Sequence, residues 1–161
     1  MGSLKAKQAT KGRAARQGWT TPAKLFEEIE RRYSGGGFTF DAACTEKNAK
    51  CPNGCAIDLG VDGRVAPWEG RVWCNPPYDE IAPWVAKALT ELRLRRVERV
   101  VMLLPARTDQ AWFHDLVLPE GRIHWIRGRV AFDPPPGQTK SVGAFEASMV
   151  VVFEPELRGR Q

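Results

Sequence analysis

Histidine and tyrosine are scarce, two of each in 161 residues, and none of the four cysteines forms a Cys-x-x-Cys pair. Cys44, Cys51, Cys55 and Cys74 lie far upstream of His114 and His124. The knuckle spacing of a structural zinc site is therefore missing, and no metal is expected. In a reducing compartment such cysteines pack as small apolar thiols. The chain also lacks any run of about eighteen apolar residues, and its N-terminal stretch MGSLKAKQATKGRAARQG has no apolar centre. Neither a membrane span nor a secretory signal is indicated, which makes the cytoplasm the expected location. The same stretch has no acidic residue: Lys5, Lys7, Lys11, Arg13 and Arg16 account for the whole formal charge of +5. With so little apolar surface, residues 1–18 are expected to be a basic disordered tail, either a solubilising or vector-derived leader or an arm that seeks phosphate.

The rest of the chain suits one domain, residues 19–157. WTTPAKLFEEIERRY predicts a helix, with Thr21 as cap, Pro22 in the first position and Leu25, Phe26, Ile29 and Tyr33 on one apolar face. FTFDAAC, residues 38–44, reads as a short strand, and residues 45–70 as loop with one short strand near residues 56–58. RVWC reads as a strand that enters Asn-Pro-Pro-Tyr, after which Ile81, Trp84, Val85, Ala88, Leu89 and Leu92 recur at helical spacing. RVVMLLP, residues 99–105, has the continuous apolar character of a strand covered on both faces. A helix over residues 108–118 and strands in GRIHWIRG and AFEASMVVVFEP complete the series. The alternation predicts an α/β fold, a three-layer sandwich with a mostly parallel sheet and an antiparallel edge at its C-terminal end. Ligands of such sheets bind outside the carboxyl ends of the parallel strands. Residues 41–44 and 75–78 should therefore face one crevice.

The tetrapeptide has chemistry of its own. Two prolines fix two φ angles and remove two backbone donors, which leaves rigid carbonyl acceptors. If the Asn75 side-chain oxygen and the Pro76 carbonyl point at one spot, they accept both hydrogens of an amino group and stabilise positive charge as its nitrogen attacks an electrophile. Pro77 stiffens the corner, and Tyr78 offers a flat face to a planar substrate. No serine or cysteine nucleophile with a paired base is evident, which fits direct transfer.

This tetrapeptide resembles the catalytic signature of amino-group methyltransferases. Together, WTTPAKLF, FTFDAAC, RVWCNPPYDEIAPWVAKA, VMLLPART, WFHD, IRGRVAF and ASMVVVFEP resemble the small phage-type DNA N6-adenine methyltransferases of the Dam family, over roughly residues 19–155. The resemblance implies a Rossmann-like class I methyltransferase domain that uses S-adenosylmethionine to methylate a flipped adenine in DNA, in the cytoplasm of a phage-infected or prophage-carrying bacterium. It implies that Asn75, Pro76, Pro77 and Tyr78 are catalytic, with Asn75 also beside the cofactor. Thr21 and Pro22 would meet the methionine carboxylate, and Asp41, Ala42 and Ala43 its ammonium end, although FDAAC departs from the glycine-rich form of that motif. A ribose-binding acid is expected at Asp58 or Asp62; each also suits a turn beside Gly60 or Gly63. Trp112, Phe113 and Trp125 are assigned to the core; Phe132 and Phe145, which flank the proline-rich loop, either face a base or, the favoured role, pack in the core. DNA contact is expected from the tail, from Arg127, Arg129 and Lys140, and from the cluster Arg93, Arg95, Arg96 and Arg99, whose other reading is a helix end that complements the dipole. Specificity would rest on the loop at residues 134–142 or on a second subunit. The tetrapeptide alone fits cytosine N4, an RNA base or a protein glutamine equally well, and a non-catalytic DNA-binding module is the alternative of another class.

Overall fold

The structure, a computed structural model, describes residues 19–137, 139 and 146–155. The expected tail, Lys140, Phe145 and part of the loop at residues 134–142 lie outside the described residues. Helix α1 spans Ala23–Tyr33 and buries Phe26 and Ile29. Its cap is Pro22, whose carbonyl accepts the Phe26 N–H at 3.0 Å, and it has no side-chain cap. Thr21 is therefore not the cap its sequence position predicts; its hydroxyl meets the Asn75 side chain instead. Gly35, Gly36 and Gly37 all have positive φ, the region that a side chain disfavours, and they turn the chain into strand β1, Phe40–Cys44.

Strand β2 is Asn53–Ala56, three residues earlier than expected, and residues 57–59 form a 3-10 turn. The reason is local crowding. Gly54 sits opposite Asp41 in the parallel pair, where an added Cβ would fall 2.4 Å from the Asp41 carbonyl. Strand β3 is Gly70–Cys74, helix α2 is Ile81–Arg93, and β4 is Val97–Pro105. The helix expected at residues 108–118 is present over residues 111–120, with a π-helical centre, Phe113–Val117, and a closing α-turn, Leu118–Glu120. Strands β5, Gly121–Trp125, and β6, Ser148–Phe153, follow.

The six strands form one sheet in the order β2-β1-β3-β4-β6-β5. Strands β2, β1, β3 and β4 pair in parallel, and β6 is antiparallel to both β4 and β5. The antiparallel strand is thus one position inside the rim, and β5 is the edge. Burial explains the swap: every residue of β6 is buried, so it needs a neighbour on each side. The polar side chains of Arg122 and His124 let β5 tolerate an open edge. One face packs Phe40, Val72, Val100, Met102 and Val151 against Trp84, Val85, Ala88 and Leu89 of α2. The other packs Trp73, Val101, Leu103, Val150 and Val152 against Phe26 and Ile29 of α1. The result is three layers around a mostly parallel sheet. Phe113 is in the core and Trp112 packs against it, but Trp125 is 61% exposed on the edge strand, contrary to its assignment from sequence. All four cysteines are buried and free. Burial pushes the Cys44 and Cys51 thiols up to about 12 and Cys55 to about 11. Among the described residues no helix is long and apolar enough to cross a membrane.

Candidate functional site

The carboxyl ends of β1 and β3 open onto one cavity of about 520 Å³, within the size range of small-molecule sites. Asn75, Pro76, Pro77 and Tyr78 line it from β3, Asp41 and Ala43 from β1, Thr21 from the lead-in to α1, and Asp62 from the loop after β2. Three expected residues do not line it. Pro22 starts α1. Ala42 points into the α2-side core and is fully buried. Its carbonyl would lie 1.9 Å from a Cβ at Gly63, so only glycine lets the next loop close over it. Asp58 is exposed, lies in the 3-10 turn that Gly60 closes, and accepts the Glu46 N–H of the neighbouring loop at 2.9 Å.

Asn75 is held by a contact that the sequence did not suggest. Its Nδ2 donates to Thr21 Oγ1 at 3.1 Å, and Thr21 is only 2% exposed. The amide nitrogen is thereby engaged, which leaves Oδ1 as the acceptor. That bond sets the orientation of the amide, and the two prolines that follow stiffen the backbone that carries it.

Asp41 is 2% exposed. Its carboxylate accepts the Lys50 N–H at 2.9 Å and the Ala43 N–H at 3.3 Å. Burial still outweighs both bonds and raises its pKa from 3.8 to about 6. A buried carboxylate that is short of positive charge is a ready partner for a cation. Asp62 stands differently. Arg64 contacts it through side chain and backbone, at 2.7–3.2 Å, and hydrogen bonds from Arg64 hold its carboxyl below the usual range.

The Tyr78 hydroxyl turns inward toward Ser148, though neither hydroxyl reaches full hydrogen-bond geometry with a described partner. Burial pushes the phenol well above its ordinary range, so the side chain stays neutral. Phe132 meets the Tyr78 ring edge to face, with centroids 6.0 Å apart, and lines the cavity as well as packing against the core.

Arg107 and Glu146 also line the cavity and were not found from sequence. Arg107 donates to the Tyr78 carbonyl at 2.7 Å and meets Glu146 through two bonds, at 2.6 and 2.7 Å. The rule that ligands bind beyond strand carboxyl ends applies to Arg107, two residues past β4. Nothing in the sequence marks Glu146. A third addition is Trp84, which lines the cavity with a buried indole N–H that has no partner among the described residues.

Three arginines of the cluster expected to meet DNA are at the other end of the sheet. Arg93, Arg96 and Arg99 are ion-paired to Glu120, Glu91 and Glu154. Their segment leads into the amino end of β4. That strand's nine residues, at about 3.3 Å each, put roughly 26 Å between the two ends. They tie elements together and do not face the cavity.

Comparison with known proteins agrees with this geometry. A family model described as DNA N-6-adenine-methyltransferase (Dam) matches residues 8–160. A DNA N-6-adenine-methyltransferase of Escherichia phage T1 is 32% identical over 123 residues, covering 74% of this chain and 49% of the phage protein. The chain thus spans about half the length of that relative. One of the same description from Haemophilus phage HP1 (strain HP1c1) is 31% identical over 140 residues, covering 86% of this chain and 79% of its own. With the tetrapeptide at the carboxyl end of β3 and a match over nearly its whole length, the chain belongs to the DNA N-6-adenine-methyltransferase (Dam) family.

Proposed function

We propose that the protein transfers a methyl group from S-adenosylmethionine to the exocyclic N6 amine of an adenine in DNA, within the bacterial cytoplasm of a phage-infected or prophage-carrying host. The sheet order, with one inserted antiparallel strand, suits a Rossmann-like class I methyltransferase frame. The observation that carries the reading is the bond from Asn75 to Thr21, which commits the amide nitrogen and leaves its oxygen to accept, in the same cavity as a buried carboxylate short of positive charge.

The cavity's donors and acceptors fit the cofactor. Asp41 would hold its ammonium group. Asp62 would accept from its ribose hydroxyls while Arg64 keeps that carboxylate ionised. Thr21 sits at the start of α1, where free backbone N–H groups favour a carboxylate. When bound, S-adenosylmethionine supplies a methyl group already activated on a sulfonium.

The chain's own residues prepare the acceptor. A base taken out of the duplex would lie against the Tyr78 ring, with Phe132 beside it. Asn75 Oδ1 and the Pro76 carbonyl accept the two N–H groups of its amine, which turns the nitrogen lone pair toward the methyl group. As the nitrogen gains positive charge, the two fixed oxygens stabilise it without reorganising. Holding both partners in line supplies much of the acceleration.

The test is methyl transfer from labelled cofactor to DNA, RNA and protein acceptors side by side, with the modified residue identified after digestion. The expected product is N6-methyladenine in DNA alone. Label in cytosine, RNA or protein glutamine, with none in DNA adenine, would overturn the assignment.

A further inference from the structure

Between β5 and the cavity runs a strap, residues 126–133, that the proposed chemistry does not use. It follows Trp125, the last residue of the edge strand, which is 61% exposed and paired with Met149. It ends where Asp133 bridges Thr20 by backbone bonds of 2.9 and 3.0 Å, just after Phe132 reaches the Tyr78 ring. Since β5 runs parallel to β4, Trp125 lies at the same end of the sheet as the tetrapeptide. The strap therefore crosses the rim from the sheet's edge to the expected base site.

Ile126, Val130 and Phe132 face inward as anchors, and Val130 is 4% exposed. Arg127 and Arg129 face solvent on either side of Gly128, whose positive φ and open surroundings let the chain turn there. Neither arginine has an ion-pair partner among the described residues; at the opposite end Arg93, Arg96 and Arg99 are paired and the exposed Arg95 is not, so position at the cavity end, beside Phe132 and the tetrapeptide, is what sets Arg127 and Arg129 apart. Three strand spacings of about 4.8 Å separate β3 from β5, roughly 14 Å, comparable with the width of a DNA major groove, about 12 Å.

We infer that this strap is the duplex-docking surface: Arg127 and Arg129 neutralise backbone phosphates beside the flipped nucleotide, and Trp125 packs on the DNA at the outer edge. The inference rests on the reading of the cavity as a DNA adenine site and names the surface that presents DNA to it. Unpaired, solvent-facing guanidinium groups bind phosphate without first breaking an internal ion pair. An exposed indole on a rigid strand offers a flat apolar face to the sugars of the backbone at little entropic cost.

The test compares wild type, Arg127→Ala/Arg129→Ala, Trp125→Ala and the control Arg93→Ala/Arg96→Ala. Affinity for a fluorescently labelled, unmethylated duplex is measured across a salt series, with cofactor binding recorded for each protein. Each phosphate contact contributes about 0.9 to the slope of log affinity against log salt. The strap double variant should therefore lose about 1.8 of that slope and raise the KM for DNA, with kcat and cofactor affinity held. Trp125→Ala should weaken binding about tenfold with the slope kept. The control should match wild type. A strap variant that keeps the wild-type slope, or a control that loses as much, overturns the inference, as does a wild type without salt-dependent duplex binding. The two readings separate cleanly, because wild-type transfer to DNA tests the cavity and the difference between variants tests the strap.

Discussion

Asp41 is a carboxylate that the fold holds away from water and gives too little positive charge. Its pKa, raised by burial from 3.8 to about 6, means that on acidification the folded chain takes up a proton before the unfolded chain does. The protein without cofactor is therefore expected to gain most from this group in acid, and to lose about 3 kcal/mol as pH rises through about 4 to about 6. Denaturant unfolding across that window checks it, and Asp41→Asn should flatten the slope. A cation meets the ionised form, so cofactor affinity should rise about tenfold between about pH 5 and about pH 7. An affinity flat over that range would remove Asp41 from the cation site. Asp41 and the tetrapeptide were legible in sequence because short motifs at strand ends have restricted meanings. The partner of Asn75 was not. Thr21 reads as a helix cap by every local signal, and only the folded chain brings it 54 positions across to the amide.

At the level of elements, the corner after β3 is braced from β4 and from the lead-in to β6. Arg107, held by Glu146, donates to the Tyr78 carbonyl and so fixes the far end of the Asn-Pro-Pro-Tyr turn. It is a positioning residue. Arg107→Ala should lower kcat by about tenfold to a hundredfold through misplacement of the ring and its neighbours. The KM for cofactor should hold, and stability should move by under about 1 kcal/mol, as for other partly exposed ion pairs. Arg107→Lys should restore only part of the rate, since an ammonium cannot copy the bidentate fork. An unchanged kcat, or a loss explained by unfolding, would contradict the role. Elements with strong apolar periodicity, α1, α2 and β4, were legible from sequence. Strand β2 was misplaced because Asn53 and Gly54 are poor strand formers admitted by close pairing with β1. The position of β6 was missed because pairing order is a long-range property, although its unbroken burial is written in its apolar run.

Across the whole molecule, the two ends of the sheet divide the work. At the amino end of β4, arginines are spent on ion pairs that join α2 and β4 to neighbouring segments. At the carboxyl end, rigid acceptors and a buried carboxylate face one cavity, and Arg127 and Arg129, without ion-pair partners among the described residues, face outward. Charge counting in the sequence put both arginine groups on the DNA side; only the topology separates them, because strand direction decides which end a loop occupies. The central claim concerns the corner at that carboxyl end, where a fixed amide oxygen helps to orient and charge-stabilise an adenine amine. It is tested most directly by the single-turnover rate of methyl transfer to DNA for Asn75→Ala at saturating cofactor, with cofactor affinity measured by calorimetry on the same protein. The expected result is a rate lower by about a hundredfold or more with affinity little changed; a variant that methylates adenine at the wild-type rate would contradict the account.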